Sequence, residues 1–450
     1  MMSFEIDIQT YQDLNIFQSS RTEFSVYGLF NKCKTVAGNQ KIQEMMRSPT
    51  NDLDLLEKRT AAFNFLSENV FHLDISNEQL DLILHYLNYG KKLKGNLIDA
   101  LAVFIKNKFH ETQDYYVVKI GLKYLLHLVK SCFSLYDYLQ QPQAPIHLKD
   151  IGKEIEDIIE KLPIDKKTAF SIKPIKFYEL SRLDSLIRTR ENIILLHHLL
   201  DCIYRIDALQ TIASMCSEKK FTLPKYITGT NKLSVNIEGI YHPAIPSPVN
   251  NNVTINNENH LTFLSGSNMA GKSSLLKSLG IAIYLAHIGF PIPASSMRTT
   301  IFNGLATTIN IADNVQNGLS HYLSEVLRVK YLLNMLVERQ KIFVILDELF
   351  KGTNAKDASE ATEIVVDGFS RIKNSAFIIS SHITELADKF ERSNISLMHM
   401  EHLMVNGQPI FTYQIKKGVT KDGIGMFFIH NENIPALLAD AEKVTLNHLN

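Results

Sequence analysis

The sequence lacks the patterns that mark disulfide-bonded, zinc-knuckle or strongly basic proteins. Its four cysteines lie far apart and form no C-x-x-C pair. This spacing argues against a disulfide framework or a zinc site and favours a reducing cytoplasm. The formal net charge is zero, so any contact with nucleic acid has to come from local basic patches.

Targeting and membrane signals are also missing. The opening residues, MMSFEIDIQTYQDL, are acidic and polar, whereas a secretory signal is basic and then apolar. The most apolar window, residues 117–139, is interrupted by three lysines and a histidine. It therefore predicts an amphipathic helix, not a membrane span. These observations predict a cytoplasmic protein that does not cross a membrane.

Two kinds of pattern divide the chain near residues 218–235. Before this boundary strand signals are nearly absent, and apolar residues recur at helical spacing. The predicted helices cover residues 38–46, 53–67, 77–87, 97–107, 113–139 and, as one long helix, 177–216. Beyond Pro224 the short apolar runs LTFLS, KIFVILD and SAFIISS alternate with helical stretches. This alternation predicts a parallel sheet with crossover helices, and hence an α + α/β chain with the helical part first.

A phosphate-binding loop is predicted where GSNMAGKS matches G-x-x-x-x-G-K-[ST] between a predicted strand and a predicted helix. Glycines let the backbone N–H groups of such a loop point at a phosphate, and the following helix adds its positive dipole end. Lys272 would bind the β- and γ-phosphates of ATP, and the Ser273 hydroxyl would ligate Mg²⁺. The residues expected to contact nucleotide are Gly266, Ser267, Asn268, Met269, Ala270, Gly271, Lys272, Ser273 and Ser274.

Two more predicted strands end in polar residues. The strand IFVIL leads into Asp347 and Glu348; Asp347 would join Ser273 in the Mg²⁺ shell, and Glu348 would polarise the attacking water. The strand AFII leads into Ser-Ser-His382, which predicts that His382 senses the γ-phosphate, with a purely structural histidine as the alternative. Glu348 and His382 are therefore the predicted catalytic residues.

These residues carry a family resemblance. SGSNMAGKSS followed by AHIGFPIPAS resembles the ATPase domain of the MutS mismatch-repair family, and DELFKGTN and SSH are similar to its acid pair and sensor. The segment SVYGLFNKCKTVAGNQKIQEMMRSP resembles the start of that family's core domain. The resemblance implies a helical core over residues 1–110, a shortened lever region over 111–224, and a P-loop ATPase domain of ABC type over 225–450 that ends in a dimerisation segment. The mismatch-recognition and connector domains expected before the core have no counterpart in this sequence.

The resemblance also implies two further nucleotide contacts. In DNVQNGLSHYLSE, Ser320 would complete the ATP site of a neighbouring subunit, and Val249 would contact the adenine. An Asn-rich β-turn is the alternative for the segment around Val249. Compared with the family pattern, Ser267 replaces a proline, Ala270 a glycine and Leu319 an arginine. The first two changes affect a turn, whereas the third weakens the expected contact across the dimer.

The implied function is an ATP-dependent DNA-binding protein of the mismatch-repair type, a homodimer joined through its ATPase domains. Hydrolysis of ATP with Mg²⁺ would switch a helical clamp on double-stranded DNA, distorted or branched DNA in particular. The basic runs KKLK at 91–94 and KK at 166–167 are candidate DNA contacts, although such runs are ordinarily solvated helix faces. The alternative is a MutS-like, ATP-switched scaffold that binds a protein partner without recognising DNA.

Overall fold

A computed structural model describes the chain over most of its length and divides it into two compact units. Unit 1 comprises Met1–Val26, Lys220–His287 and Ile292–Asn450, and unit 2 comprises Tyr27–Lys219 with Ile288–Pro291. The described residues are 3–17, 24–71, 74–92, 113–170, 177–229, 232–267, 269–309, 321–382, 390, 395–406, 408–419, 425–439 and 441. In the described part of the chain, no helix is both long and apolar enough to cross a bilayer.

The helices and strands are numbered in chain order. The helices are α1 (Ile8–Asp13), α2 (Val26–Phe30), α3 (Val36–Met46), α4 (Leu53–Glu68), α5 (Asn77–Leu87), α6 (Gln113–Leu139), α7 (Ile146–Lys161), α8 (Lys166–Ala169), α9 (Phe177–Ile187), α10 (Arg190–Glu218), α11 (Lys272–Ala286), α12 (His321–Arg339), α13 (Ala355–Ser370) and α14 (Gly425–Asn431). The strands are β1 (Glu5–Ile6), β2 (Lys225–Tyr226), β3 (Ser234–Ile240), β4 (Asn251–Asn256), β5 (Leu261–Ser265), β6 (Ser296–Thr299), β7 (Gly304–Thr308), β8 (Ile342–Asp347), β9 (Ala376–Ser381), β10 (Ser396–Val405) and β11 (Gln408–Lys417).

Unit 2 is helical and is organised around α10, which packs against α3, α4 and α7. Polar side chains set the helix starts: Thr35 caps α3, and Ser76 forms a capping box with Gln79 at α5. The buried Asp207 carboxylate of α10 accepts hydrogen bonds from Thr35 N at 2.8 Å and from Thr35 Oγ1 at 2.6 Å. This contact fixes the first turn of α3 on the central helix.

The predicted helices of unit 2 are confirmed, with one correction. The four that lie within the described residues match α3, α4, α5 and α6 closely, and the one predicted over residues 97–107 lies outside the described residues. The prediction of one long helix over 177–216 is wrong, because α9 and α10 are separate helices. The Thr189 hydroxyl accepts a hydrogen bond from Asn192 N and so starts α10.

A buried ion pair lies at the break between α9 and α10. Arg188 is 1% exposed and Asp184 fully buried, with Arg188 Nε 2.7 Å from Asp184 Oδ1. The same guanidinium donates to the Tyr89 carbonyl at 2.6 Å and to the Lys91 carbonyl at 2.5 Å. The Tyr86 hydroxyl donates to Asp184 at 3.1 Å. This cluster ties the end of α9 to the chain that follows α5.

Unit 1 contains a seven-stranded sheet in the order β1-β7-β8-β9-β5-β10-β11. All neighbouring pairs are parallel except β10 with β11. The strands β5, β8 and β9 are buried along their whole length, as expected for a parallel sheet covered on both faces. The three strands predicted from LTFLS, KIFVILD and SAFIISS are confirmed, and so is a helical part joined to a sheet dominated by parallel pairs.

The first residues of the chain also belong to unit 1. The short strand β1 pairs with β7 in parallel. It was not predicted, because a strand of two residues is too short to show a period. The Asp13 carboxylate accepts hydrogen bonds from Thr307 Oγ1 at 2.8 Å and Ile309 N at 2.9 Å. The N-terminal segment therefore supports the end of β7.

A second, four-stranded sheet in the order β2-β6-β3-β4 completes unit 1. Asn251, in β4, joins this sheet to the long β10–β11 hairpin. Its amide donates to the Tyr413 carbonyl at 3.0 Å and accepts from Ile415 N at 2.8 Å. The hairpin is thereby held beside the loop that follows β5.

Candidate functional site

The loop between β5 and α11 curls tightly around the Lys272 ammonium. Lys272 Nζ donates to the carbonyls of Gly266 at 2.7 Å and Ser267 at 3.2 Å. Gly266 has φ +151° and Gly271 has φ +94°, a region of backbone conformation that favours glycine. A Cβ at Gly271 would also lie 3.1 Å from the Tyr413 ring. These glycines therefore permit both the turn and the close approach of the hairpin.

The first turn of α11 begins at Lys272, so its unpaired backbone N–H groups face the mouth of the loop. Such a helix start favours negative charge. The Ser267 hydroxyl oxygen is buried and has no hydrogen-bond partner among the described residues. A free donor, a buried ammonium and a helix N-terminus together make this loop suited to an anion.

The carboxyl ends of β8 and β9 bring the acid pair to this loop. Ser273 Oγ donates to Asp347 Oδ2 at 2.5 Å, and Ser380 Oγ donates to Asp347 Oδ1. Glu348 has φ +55°, and its backbone N–H donates to the Ser380 carbonyl at 3.1 Å. Residues from three neighbouring parallel strands therefore meet at one edge of the sheet, the edge at which α/β proteins bind ligands.

Glu348 is surrounded by cationic or titratable groups. Its carboxylate lies 3.6 Å from Lys272 Nζ, 2.9 Å from Lys351 Nζ and 3.6 Å from His382 Nδ1. Hydrogen bonding to His382, followed by that to Lys351, holds the pKa of Glu348 at about 2, although burial acts in the opposite direction. Burial lowers the pKa of Lys272, against the attraction of Glu348 and Asp347. Glu348 is therefore ionised at neutral pH.

These groups open into a cavity of about 710 Å³. Its polar lining comes from the loop after β5 and from the acid pair. Its apolar and aromatic lining comes from the connection after β3, with Tyr241, Ile245, Pro248 and Val249, and from Met400 and Tyr413 of the hairpin, which lie against the loop. A pocket of this size with charged and partly aromatic walls matches the dimensions of a nucleotide site.

A divalent cation fits the polar lining of this cavity. Ser273 and Asp347 provide a hydroxyl and a carboxylate oxygen in contact with each other, and hard cations such as Mg²⁺ prefer oxygen ligands. Mg²⁺ ordinarily takes one or two protein ligands and completes its shell with water and phosphate. Accordingly, a cluster of three or more His, Cys, Asp or Glu ligands is not needed, and none occurs in the described part of the chain.

The remaining predicted residues are placed as follows. Met269 has φ +73° and is 71% exposed at the cavity mouth, whereas Ala270 is buried beneath it. Ser274 and Val249 line the cavity. Asn268, Leu319 and Ser320 lie outside the described residues. Tyr413 and Met400, which were not predicted as site residues, also line the cavity. They belong to the β10–β11 hairpin, where the alternation of polar and apolar residues does not indicate a ligand site.

Three lysines of the basic runs that were candidate DNA contacts have contacts within unit 2. Lys91 Nζ lies 3.1 Å from Asp114 Oδ2, and Lys92 Nζ donates to the Arg188 carbonyl at 2.5 Å. Lys166 Nζ lies 5.3 Å from the centre of the Phe133 ring. Lys94, the last lysine of the run at 91–94, lies outside the described residues. These lysines contribute to packing and pairing within unit 2.

Comparison with known proteins identifies both halves of the chain. The family model for MutS domain III matches residues 9–219, and that for MutS domain V matches residues 262–450. A DNA mismatch repair protein MutS from Persephonella marina is 29% identical over 227 residues, which is 49% of this chain and 25% of that protein. One from Geobacillus sp. is 26% identical over 271 residues, 58% of this chain and 31% of that protein.

A similar protein from Bacillus cytotoxicus, also a DNA mismatch repair protein MutS, is 26% identical over 257 residues. The aligned part is 55% of this chain and 28% of that relative, so the match spans about a quarter to a third of the length of these proteins. Both family models belong to one family and match in the order expected from the sequence. The chain therefore belongs to the MutS family.

Proposed function

We propose that this chain is a P-loop ATPase whose nucleotide state controls its association and its grip on DNA. The observation that carries the proposal is the meeting of Lys272, Ser273, Asp347 and Glu348 at the carboxyl edge of a parallel sheet, in one cavity. This arrangement combines an anion-binding loop, a candidate cation site and an ionised carboxylate. Those are the parts that phosphoryl transfer to water requires.

In this proposal the loop binds the triphosphate. Lys272 exchanges the carbonyls of Gly266 and Ser267 for the β- and γ-phosphate oxygens, and the N–H groups at the start of α11 bind the same anion. Ser273 and Asp347 would hold Mg²⁺, whose charge would offset the negative charge on the phosphates. The adenine contacts the apolar lining of the cavity, to which Val249 and Tyr413 contribute.

Glu348 and His382 are the proposed catalytic residues. An ionised Glu348 accepts a hydrogen bond from the attacking water and orients it toward the γ-phosphate. His382 Nδ1 lies 3.6 Å from the Glu348 carboxylate, and its side chain is half-exposed; from this position we propose that it contacts the terminal phosphate. Its proposed role is to sense whether that phosphate is present.

The proposed assembly is a homodimer in which Ser320 of each chain completes the ATP site of the other. ATP then links two ATPase faces, and hydrolysis loosens the pair because the bridging charge is lost. We propose the domain division 1–110, 111–224 and 225–450, with the two helical parts transmitting the movement to double-stranded or branched DNA.

A scaffold that binds a protein partner is a second candidate function. It is favoured by the contacts of three lysines in the basic runs, because Lys91, Lys92 and Lys166 contact Asp114, the Arg188 carbonyl and the Phe133 ring, respectively. Lysines engaged in this way offer less to a DNA backbone, which is bound mainly through free Lys and Arg side chains.

The ATPase rate of the purified chain, measured alone and with linear, mismatched and four-way-junction DNA, tests the proposal. Glu348→Gln is expected to lower single-turnover hydrolysis by about 10²- to 10⁴-fold, the usual contribution of a general base, while ATP still binds. Stimulation by DNA that weakens steeply with added salt favours the DNA-binding function. Hydrolysis without any DNA binding at low salt favours the scaffold, and a wild-type chain that does not hydrolyse ATP contradicts the proposal.

A further inference from the structure

The start of α12 is attached to the loop that carries Glu348. Glu325, in the first turns of α12, is 3% exposed. Its carboxylate accepts hydrogen bonds from Lys351 N at 3.2 Å and from Gly352 N at 3.3 Å. A buried carboxylate that accepts from backbone N–H groups fixes their position, because an unpaired buried group of either kind is costly.

A ring contact joins the same two elements. Tyr322, one turn before Glu325, packs on Phe350 with ring centres 5.8 Å apart. Phe350 is buried and has φ +62°, a conformation that non-glycine residues adopt only when their surroundings hold it. Two independent contacts therefore fix the backbone between Phe350 and Gly352 against α12.

This loop in turn positions the Glu348 carboxylate. Lys351, whose backbone N–H is held by Glu325, reaches back with its ammonium to Glu348 Oε2 at 2.9 Å. Glu348 itself has φ +55°, a conformation that persists only when the surrounding structure holds it. The direction of the Glu348 side chain therefore depends on how the residues after it are held. A shift of the loop by a fraction of an ångström would move both the carboxylate and its cationic partner.

We propose that Glu325 is a positioning residue that couples α12 to the hydrolytic carboxylate Glu348. This inference rests on the proposed function, in which Ser320, the residue immediately before α12, engages the nucleotide of the partner subunit. Force on the start of α12 is transmitted through Glu325 to Lys351 and Gly352, and so to Glu348. Occupancy of one site of the dimer thereby adjusts hydrolysis at the other.

The variant Glu325→Gln tests the coupling, with Glu338→Gln as its matched control because Glu338 is exposed on the same helix. In Glu325→Gln one carboxylate oxygen becomes an NH₂ group, which cannot accept from a backbone N–H. We expect kcat for ATP to fall about tenfold or more with KM little changed, since a charge-assisted hydrogen bond to the loop is lost. Glu338→Gln should match wild type in both constants.

A further readout separates positioning from general destabilisation. Hydrogen exchange of the Lys351 and Gly352 amides should accelerate about tenfold in Glu325→Gln while the amides of β8 keep their protection. Should Glu325→Gln fail to fold, Tyr322→Leu removes the other contact and is expected to lower kcat with KM unchanged.

The outcomes are distinguishable from those of the proposed function. Unchanged amide exchange in Glu325→Gln overturns the inference whether or not the protein hydrolyses ATP. Wild-type hydrolysis with an unaltered kcat in both Glu325→Gln and Tyr322→Leu overturns it and leaves the proposed ATPase intact. If the Lys351 and Gly352 amides exchange faster in Glu325→Gln but the chain has no ATPase activity, the attachment of the loop to α12 is supported and only the proposed function is contradicted.

Discussion

The buried ion pair of unit 2 gives the most quantitative prediction. Arg188→Met removes a guanidinium that contacts Asp184 and the carbonyls of Tyr89 and Lys91 in the protein interior. Breaking a buried pair on one side costs about 3–5 kcal/mol, because the remaining charge stays desolvated. For a unit of roughly this size, 1 kcal/mol lowers Tm by about 2–4 °C, so the expected loss is roughly 6–20 °C.

The assay is thermal unfolding of the full chain followed by circular dichroism. The double variant Arg188→Met/Asp184→Leu should recover part of the loss, since no buried charge is left unpaired. Recovery should be incomplete, because the Tyr89 and Lys91 carbonyls still lack their donor. Arg205→Met, whose partner Glu154 is 45% exposed, serves as the control and should cost no more than about 1 kcal/mol. An Arg188→Met variant that melts within about 2 °C of wild type would refute the reasoning.

Three other predictions concern the site and the helical packing. Lys272→Ala should abolish ATP binding in an equilibrium titration, whereas Lys356→Ala, at an exposed position, should bind as wild type does. Gly121→Ala should lower Tm through a loss of about 1–3 kcal/mol, because a Cβ there would lie 2.2 Å from Tyr86 Cβ; an unchanged Tm would contradict the close packing of α5 on α6. Because the pKa of Glu348 is lowered from 4.5 to about 2, the stability it contributes is complete above about pH 4.5 and is lost as the pH falls toward 2. The ATPase rate should therefore show no limb from Glu348 between about pH 5 and 8, and such a limb that disappears in Glu348→Gln would contradict this assignment.

The central strands could be predicted from the sequence because each is a short, continuous apolar run with a polar end. That pattern is what burial on both faces of a parallel sheet requires. The polar residues at the strand ends predicted that Lys272, Asp347 and Glu348 lie at one edge of the sheet. The tight loop after β5 was predictable for a related reason. Its glycines at positions 266 and 271 are needed for positive φ values, a requirement that leaves a direct trace in the sequence.

Other features leave no local trace. β1 is a short edge strand, and its pairing with β7 joins Glu5 to Gly304, which are far apart in the sequence. The break between α9 and α10 lies within a continuous helical pattern, because Arg188 is buried by its ion pair and Thr189 caps without any glycine or proline. Tyr413 reaches the cavity through the long β10–β11 hairpin. In each case long-range packing, which periodicity cannot report, decided the outcome.

Glu325 illustrates the same limit at the site. A glutamate in the first turns of a helix is ordinarily a solvated residue that favours the helix dipole. Here it is buried, and the amides that it accepts from belong to the loop that follows β8. Its role follows from the fold and could not be inferred from the residues around it.

The most direct test of the account is the mass of the Glu348→Gln variant in solution, measured by light scattering with and without ATP and Mg²⁺. The account predicts the 51.2 kDa of a single chain without nucleotide and twice that mass with saturating ATP, with Lys272→Ala remaining at the lower mass in both conditions. A Glu348→Gln protein that binds ATP and keeps the same mass with and without it would contradict a triphosphate shared between two subunits.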